Sequence, residues 1–323
     1  MKALVIGHSA YDITCQIDKF PEQNTKTRFS DIVESGGGCA ATMAYVLGKY
    51  GVETYLGSVV GDDTYGNLIK KGLEKVGVHT EYMETAYERK TPLAFILSDK
   101  NTAQRTVYSV EKENLLLKKN EFQLTPDIIL IDGYDYGASL AALNKYPNAL
   151  SIIDAGSPTQ EILELCKYCK YIVASKEFAE KVSGQMINYE NPQSLVYVFS
   201  SLLNKFPKKE IVVTLEERGA LYIYNDQIKV MPGLQAEVVD TTAAGDIFHG
   251  AFAYALSQKY DIERTITFAN IAAGISVTKI GAWNSVAEIS DIMTYFNQKY
   301  PKETVETKAV TPPAAVQMPP DSL

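Results

Sequence analysis

Short apolar segments alternate with amphipathic segments of helical length along most of the chain. The apolar segments are rich in β-branched residues and include ALVIGHSAYDI, TYLGSVVG, DIILIDGYD, ALSIIDAGS, KYIVAS and EIVVTLEERGALYIY. Between most of them lie stretches such as AATMAYVLGKYG and YGNLIKKGLEKVGV, in which apolar residues recur at helical spacing. Parallel strands are usually joined by helical crossovers. The alternation therefore predicts an α/β fold with a mostly parallel sheet that helices cover on both faces.

Two segments interrupt this alternation. Residues 13–33 and 91–111 are polar and strand-rich, and no helix separates their strands. Because they lack the helices of the main pattern, we expect them to form antiparallel strands of a small β lid. The lid is then inserted into a main α/β domain made of residues 1–12, 34–90 and 112–300.

The acidity of the chain argues against several classes of partner. It has 31 Lys and Arg against 39 Asp and Glu, a formal net charge of −8 and a pI near 5.1. Nucleic acids and anionic membranes are bound by basic surfaces, so we expect neither as a partner. No apolar run reaches the roughly 18–20 residues that cross a bilayer, and the N-terminal run is too short for a signal peptide. We therefore expect a cytoplasmic protein, ending in a disordered, proline-rich tail at residues 301–323.

Two of the four cysteines, Cys166 and Cys169, form a CxxC motif late in an apparent helix. A zinc site would need two further ligands at matching spacing, and a redox CxxC usually opens a helix after a strand. The motif is therefore predicted to consist of structural thiols, with a metal or redox role as the alternative.

The segment VVDTTAAGDIFHGAF, residues 238–252, places small and acidic residues at the start of an amphipathic helix. Amides in the first turn of a helix have no partner within it, and the helix dipole is positive there. Ala243, Ala244 and Gly245 leave this main chain accessible, so the turn suits an anion. Asp246 is placed to accept a proton from a hydroxyl group beside that anion. The alternative is an ordinary helix cap, since Asp and Thr are good N-cap residues.

Two further features are candidates for ligand binding. Glycines 36–38 precede another helix start, where they either let a ligand approach the backbone or make a tight turn. Asp12 follows the first apparent strand, where ligands bind in open α/β sheets, and its carboxylate suits either sugar hydroxyls or solvent. The chain contains no GxxxxGK[ST] loop and no GxGxxG fingerprint, so the 240–246 turn is the candidate phosphate site.

Four motifs, in the same order, resemble the ribokinase-like (PfkB) family of small-molecule kinases. VVDTTAAGDIFHGAF is similar to the C-terminal signature of that family, and GGGCAATMAYVLGKYG to the N-terminal one. YLGSVVGDDTYGNLIKKGLEKVGV and FANIAAGISVTKIGAWNS match two further segments, so that the similarity extends from Met1 to about residue 297. GGGxAAT is closest to members that act on ketoses and sulfo-ketoses. The resemblance implies a three-layer α/β/α sandwich with a mostly parallel central sheet and a small β-sheet lid, which often dimerises.

The resemblance also implies a reaction, the transfer of the γ-phosphoryl group of ATP to a hydroxymethyl group of a sugar. Asp246 would be the base, and the amides of Ala243, Ala244 and Gly245 would form the anion hole. The matching substrate positions are Asp12, Gly37, Gly38 and Thr42, with Lys26 and Arg105 as lid residues that either contact substrate or are solvated. The matching nucleotide positions are Thr214, Gly219, Asn270 and Gly245. Mg²⁺ would arrive with ATP, and a monovalent cation, K⁺, would be bound near Asp240, Thr242, Ser276, Gly281 and Ser285.

Several positions depart from the family pattern. Ala243 replaces a glycine of the anion hole, which costs on the order of 1 kcal/mol if the position needs a positive φ. Ser175 and Phe178 replace the Asn and Glu of an NxxE segment, which leaves Glu177 as the candidate carboxylate on the Mg²⁺ side. Glu216 replaces a glycine of the common TLGxxG segment.

Two alternatives to a sugar kinase stay open at the level of the sequence. One is a nucleoside kinase of the same family, and the other is a non-catalytic relative that binds a sugar or a nucleotide. His249, one turn into the helix that follows the signature turn, is predicted to be a packed or capping residue.

Overall fold

The computed structural model describes residues 1–29, 32–110 and 115–300, so the predicted tail at 301–323 lies outside the described residues. The strands are β1 Lys2–Ile6, β2 Ala10–Ile17, β3 Ile32–Gly37, β4 Glu53–Gly61, β5 Val78–His79, β6 Met83–Ala86, β7 Leu93–Asp99, β8 Arg105–Ser109, β9 Ile128–Ile131, β10 Leu150–Ala155, β11 Tyr171–Ser175, β12 Glu210–Thr214, β13 Ala220–Tyr224 and β14 Gln227–Met231. The helices are α1 Cys39–Lys49, α2 Thr64–Lys75, α3 Tyr136–Lys145, α4 Gln160–Leu165, α5 Lys176–Ser183, α6 Pro192–Lys205, α7 Ala244–Ser257, α8 Ile262–Ser276 and α9 Ile289–Lys299.

The main sheet has ten strands within the described ranges, in the order β14-β13-β12-β11-β10-β9-β1-β4-β5, with β6 also paired to β4. All pairs from β12 to β5 and β6 are parallel, and β13 and β14 add an antiparallel edge. The predicted α/β class with a mostly parallel sheet is confirmed. Because β1 lies between β4 and β9, the strand order reverses beside β1. Ligands bind at the carboxyl ends of strands next to such a reversal.

The core has two layers, one on each face of the main sheet, and the side chains of β1 alternate between them. Ala3 and Val5 face the layer that contains α1, α2, α7, α8 and α9, whereas Leu4 and Ile6 face the layer of α3 to α6. All four side chains are fully buried, as expected for a strand covered on both faces. The arrangement is the predicted three-layer sandwich. It also places α1 and α7, which follow the two predicted ligand segments, on the same face of the sheet.

The second sheet (called here the small sheet) has the order β3-β2-β7-β8. β2 pairs antiparallel with β3, and β7 with β8, but β2 and β7 are parallel. The expectation of a wholly antiparallel lid was therefore wrong for the central pair. Two hairpins from separate parts of the chain lie side by side, and the first strand of one, β2, pairs with the first strand of the other, β7.

The position of Asp12 also differs from the prediction. ALVIGHSAYDI is not one strand, because β1 ends at Ile6 and β2 begins at Ala10. Asp12 therefore lies in the small sheet rather than at the carboxyl end of the first main-sheet strand. The break follows from Gly7, whose φ of 151° accompanies a close approach to Asp132 that leaves no room for a Cβ.

All four cysteines are free, and Cys166 and Cys169 are buried just beyond α4. Burial raises the pKa of the Cys166 thiol to about 12 and that of Cys169 further, so both stay protonated, as structural thiols do. No helix in the described part of the chain combines the length and the apolarity that crossing a bilayer requires.

Candidate active site

The 240–246 turn enters α7 with several amides unpaired. Ala243 caps the helix with φ 59° and ψ 10°, in the left-handed region. The Ile247 amide donates to the Ala243 carbonyl at 2.9 Å, and the Ala244 amide to Thr241 at 3.3 Å. Within the described residues, the amides of Ala243, Gly245 and Asp246 have no acceptor. They are therefore free to bind an anion at the positive end of the helix, whereas the Ala244 amide, predicted for the same role, is already bonded to Thr241.

The left-handed conformation of Ala243 leads to a prediction about stability. Ala243→Gly is expected to stabilise the fold by up to about 1 kcal/mol, because glycine adopts a positive φ without the Cβ penalty. Ala244→Gly, one residue into the helix, is the matched control and is expected to destabilise by up to about 1 kcal/mol. Urea unfolding of both variants measures the difference. Loss of stability in both would contradict strain at Ala243.

Asp246 lies in a cluster with Asp154 and Cys39. A carboxylate oxygen of each aspartate and the sulfur of Cys39 all lie within 4.8 Å of one another. Burial, followed by the negative charge of Asp154, raises the pKa of the Asp246 carboxyl to about 7, while His249 opposes the shift. Burial, together with these carboxylates, also raises the pKa of the Cys39 thiol well above its usual range, so that the thiol stays protonated. A carboxyl group that titrates near neutral pH is suited to accept a proton during catalysis.

Asp12 lies close to the first of the predicted helix starts. It is buried in β2, and a Cβ added at Gly37 in β3 would lie 2.1 Å from its Oδ2. Gly38 follows with φ 84° and caps α1. The charge of Asp12 also contributes to the pKa of Asp246, so the two carboxylates are near enough to interact. The structure thus brings the two predicted ligand segments together.

Thr42 forms part of a wall beside these glycines. Its hydroxyl accepts a hydrogen bond from Nε1 of Trp283 at 3.2 Å. The Trp283 ring stacks on Tyr45 at 4.6 Å, and a Cβ added at Gly36 would lie 2.2 Å from the indole. Sequence reasoning did not single out Trp283, although it is the one tryptophan of the chain.

Three of the five residues predicted to surround a monovalent cation are in contact. Asp240 accepts from the amide and the hydroxyl of Thr242 at 3.0 and 2.7 Å, and from the Gly281 amide at 2.9 Å. The other two, Ser276 and Ser285, donate their hydroxyls to backbone carbonyls three residues earlier. Asp240 is buried, and no cationic side chain of the described residues forms an ion pair with it. A buried carboxylate bonded to neutral donors alone fits a cation held nearby.

On the predicted nucleotide side, two residues hold the segment after β14. Gly219 has φ 94°, and a Cβ there would lie 2.0 Å from the Met231 carbonyl oxygen. Asn270 donates to the carbonyls of Met231 and Pro232 at 3.2 and 3.1 Å. Thr214, at the end of β12, donates to a β11 carbonyl at 3.3 Å. The contacts of Gly219 and Asn270 therefore position the backbone at Met231 and Pro232, whereas the Thr214 contact joins β12 to β11.

The NxxE positions serve the local structure of α5. Ser175 caps the helix by accepting from the Phe178 amide at 2.9 Å, and the Phe178 ring is buried in the core. Glu177 is exposed in the first turn and bonds Lys181 at 2.5 Å. The Ser and Phe departures therefore have a structural cause, and Glu177 lies in a surface ion pair.

Glu216 keeps a backbone conformation that glycine adopts more easily. Its φ is 56°, and its carboxylate lies 3.5 Å from Nζ of Lys176. Glu216 therefore adopts a positive φ at the position of the family glycine and adds an ion pair at the surface.

The two predicted lid cations differ in their contacts. Nη1 of Arg105, in β8, donates to the hydroxyl of Thr241 and so joins the small sheet to the 240–246 turn. Lys26 lies in the exposed loop after β2, and no partner for its ammonium group occurs in the described ranges. A cavity of about 490 Å³ lies beside that loop, lined by residues such as Gln16, Pro21 and Lys100. None of the predicted site residues lines it.

Three residues that sequence reasoning did not assign to the site lie within it. Asp132 accepts from the amides of His8, Ala40 and Tyr134, and burial raises its pKa to about 6. Asp154 is the next-to-last residue of β10, and His249 lies 3.3 Å from it. A signal existed for the two acids, because both stand at the carboxyl ends of buried neighbouring strands.

The chain is similar to sugar and nucleoside kinases over nearly its whole length. It matches the pfkB family carbohydrate kinases over residues 1–289. It is 28% identical to a ribokinase of Bacillus subtilis over 292 residues, which cover 86% of this chain and 93% of the relative. It is 26% identical to a nucleoside kinase of Methanocaldococcus jannaschii over 301 residues, 89% of this chain and 96% of the relative.

The fold is likewise similar to a solved structure. Arabidopsis thaliana ribokinase, complexed with ribose and ATP, superposes with a TM-score of 0.73 at 21% identity, covering 91% of this chain and 98% of its own. The resemblance drawn from the four motifs is confirmed, as is the enzyme class, a kinase that transfers a phosphoryl group to an alcohol acceptor. The chain belongs to the pfkB family of carbohydrate kinases.

Proposed function

We propose that the protein transfers the γ-phosphoryl group of ATP to a hydroxymethyl group of a small sugar. The observation that carries the proposal is the combination of unpaired amides at the start of α7 with Asp246, whose pKa is raised to about 7. Asp246 accepts the proton of the acceptor hydroxyl as its oxygen attacks the phosphorus. The amides of Ala243, Gly245 and Asp246 donate to the transferring phosphoryl group, whose charge they stabilise.

The cofactors follow from the charges involved. ATP is bound by the related ribokinase structure, and Mg²⁺ would neutralise the ATP phosphates. Glu177, next to the position that Phe178 occupies, is the candidate carboxylate, and its exposed ion pair with Lys181 is weak enough to be exchanged for Mg²⁺ and its waters. K⁺ would be held near Asp240, whose buried charge has no cationic partner in the described residues.

The acceptor is proposed to be a pentose, a ketohexose or a sugar acid. Asp12 supplies a buried carboxylate for sugar hydroxyls, and the glycines at 37 and 38 leave the backbone accessible. A nucleoside is the second candidate, because the similarity to the Methanocaldococcus jannaschii nucleoside kinase covers 89% of the chain.

A coupled ADP-release assay tests the proposal. The purified protein is given Mg·ATP and K⁺ with pentoses, ketohexoses, sugar acids and nucleosides, and Asp246→Asn is the control. Turnover with one sugar that disappears in the control supports the proposal, whereas turnover with nucleosides alone supports the second candidate. If no acceptor gives turnover while a sugar or nucleotide still raises the Tm, the protein is a non-catalytic binding relative.

Arg105 is expected to hold the small sheet over the bound acceptor. Arg105→Ala should raise the KM for the acceptor by about 10-fold or more, because a hydrogen bond made by a charged donor contributes about 1.5–3 kcal/mol. Lys26→Ala removes the other lid cation that was predicted to contact substrate, which has no partner among the described residues, and should leave the KM unchanged. Equal effects of the two substitutions would show that general lid charge matters rather than the Arg105 contact with Thr241.

We also propose that one face of the small sheet packs against a second copy of the chain. Asp12 is paired with Ala94 in β7, and Ala94 with Ser109 in β8, so alternation puts Phe95 and Tyr108 on the opposite face from Asp12. Phe95 and Tyr108 are 42% and 58% exposed, and Ile32 on the same face is 57% exposed. An exposed apolar face of this kind marks an interaction site.

Light scattering after size exclusion is expected to give twice the chain mass. Phe95→Glu should yield the monomer, because it places a charge within the apolar face. Tyr87→Glu, at a 76% exposed position outside the small sheet, is the matched control and should remain dimeric. A monomeric wild-type protein would contradict this arrangement.

A further inference from the structure

His249 connects the anion-binding turn to two strands of the main sheet. It is buried in α7, one turn after Gly245. Its Nδ1 lies 2.6 Å from the carbonyl oxygen of Gly245. Its Nε2 lies 3.2 Å from the carbonyl oxygen of Val173 in β11 and 3.3 Å from Oδ1 of Asp154 in β10. A single imidazole thus fixes the start of α7 against the carboxyl ends of β10 and β11.

The atoms around the ring determine where its hydrogens lie. A carbonyl oxygen accepts and cannot donate, so Nδ1 must carry the hydrogen of its bond to Gly245. Nε2 lies beside two acceptors, the Val173 carbonyl oxygen and the Asp154 carboxylate.

The contact with Gly245 acts directly on the anion site. The Gly245 carbonyl and the Asp246 amide belong to one peptide unit, and a hydrogen bond accepted by the carbonyl strengthens the amide as a donor. That amide has no acceptor among the described residues. We propose that His249 is a positioning residue, whose Nδ1–H fixes the Gly245–Asp246 peptide and polarises the Asp246 amide toward the transferring phosphoryl group. The role rests on the proposed kinase function.

The two ring contacts can be separated by substitution. Asparagine places an amide nitrogen at the position of Nδ1, and glutamine places one near Nε2, whereas phenylalanine keeps a ring without donors. Because these changes also alter the contact with Asp154, each is made in an Asp154→Asn background, and that single variant is the reference. Relative to it, His249→Asn should keep kcat within about threefold, while His249→Gln and His249→Phe should lower it by about 10–100-fold.

The KM values for ATP and for the acceptor should change by less than about threefold, because the polarised amide acts mainly on charge that develops in the transition state. If His249 only held α7 against the sheet, kcat would be higher for His249→Gln than for His249→Asn, because glutamine preserves the contact with Val173. Higher kcat for His249→Gln than for His249→Asn would overturn the proposal.

NMR supplies a readout that does not depend on turnover. The chain has three histidines, so the ring signals of His249 are assigned by their loss in His249→Asn. In the wild-type protein, Nδ1 should carry a slowly exchanging, strongly downfield hydrogen, and a bare Nδ1 would overturn the proposal. Inorganic phosphate, followed at the Asp246 amide, should bind at least about fivefold tighter to His249→Asn than to His249→Gln. Equal phosphate affinities would contradict the proposal even if no acceptor were turned over, and absence of turnover alone would contradict the kinase function.

Discussion

Asp246→Asn is expected to lower kcat by about 10²–10⁴-fold, the range that proton transfer to a positioned base usually contributes. Asparagine keeps the size and the polarity of the side chain but cannot accept the proton of the acceptor hydroxyl. Affinity for ATP should be unchanged, because the amides at the start of α7 stay in place. Steady-state kinetics together with nucleotide binding measure both quantities. Near-full turnover in the variant would contradict the assignment of the base.

The raised pKa of Asp246 adds two pH dependences to this prediction. The base must be deprotonated, so kcat of the wild-type protein should rise with pH through about 7. Folding raises this pKa above its ordinary value of 3.8. The contribution of Asp246 to the free energy of unfolding is therefore fully present below pH 3.8 and is lost as the pH rises through about 7. Asp246→Asn should therefore have a higher Tm than the wild-type protein at pH 8 and no advantage at pH 4. An advantage at pH 4 that vanishes at pH 8 would contradict the direction of the shift.

The features predicted correctly from the sequence are mostly local along the chain. The sequence predicted a helix start within residues 238–252, and α7 begins there at Ala244, because small residues before an amphipathic run mark a helix start. The sequence also predicted that alanine at position 243 would cost stability if its φ were positive. Its φ of 59° meets that condition. The alternation of strands and helices likewise determined the mostly parallel main sheet.

The features that were missed depend on contacts between distant segments. The parallel pairing of β2 with β7 follows from how two hairpins dock, which neither hairpin encodes alone. Asp132 and Asp154 enter the site because β9 and β10 are neighbours in the sheet. The role proposed for His249 required the positions of Gly245 and Val173 around one ring, which helical periodicity could not reveal.

Gly37→Ala is expected to weaken the use of the acceptor by about 100-fold in kcat/KM. A Cβ at this position would lie 2.1 Å from Oδ2 of Asp12, so the carboxylate must move away from the acceptor. A displacement of about 1 Å in a positioning group costs on the order of 100-fold. The KM for ATP should stay constant, since the contact lies in the small sheet, away from the nucleotide side.

The role of Asp12 in this loss can be tested with one further substitution. Gly137→Ala is the matched control for adding a methyl group, because the nearest atom to a Cβ there is 3.7 Å away, and it should leave the kinetics unchanged. If Gly37→Ala acts by displacing Asp12, it should cost little more once Asp12→Ala has removed the carboxylate, because two changes to one interaction are not additive. Full additivity would instead show that the methyl group blocks the acceptor or the backbone itself. Gly37 would then line the acceptor site itself, and a glycine would be required there to leave room for the sugar rather than for the Asp12 carboxylate.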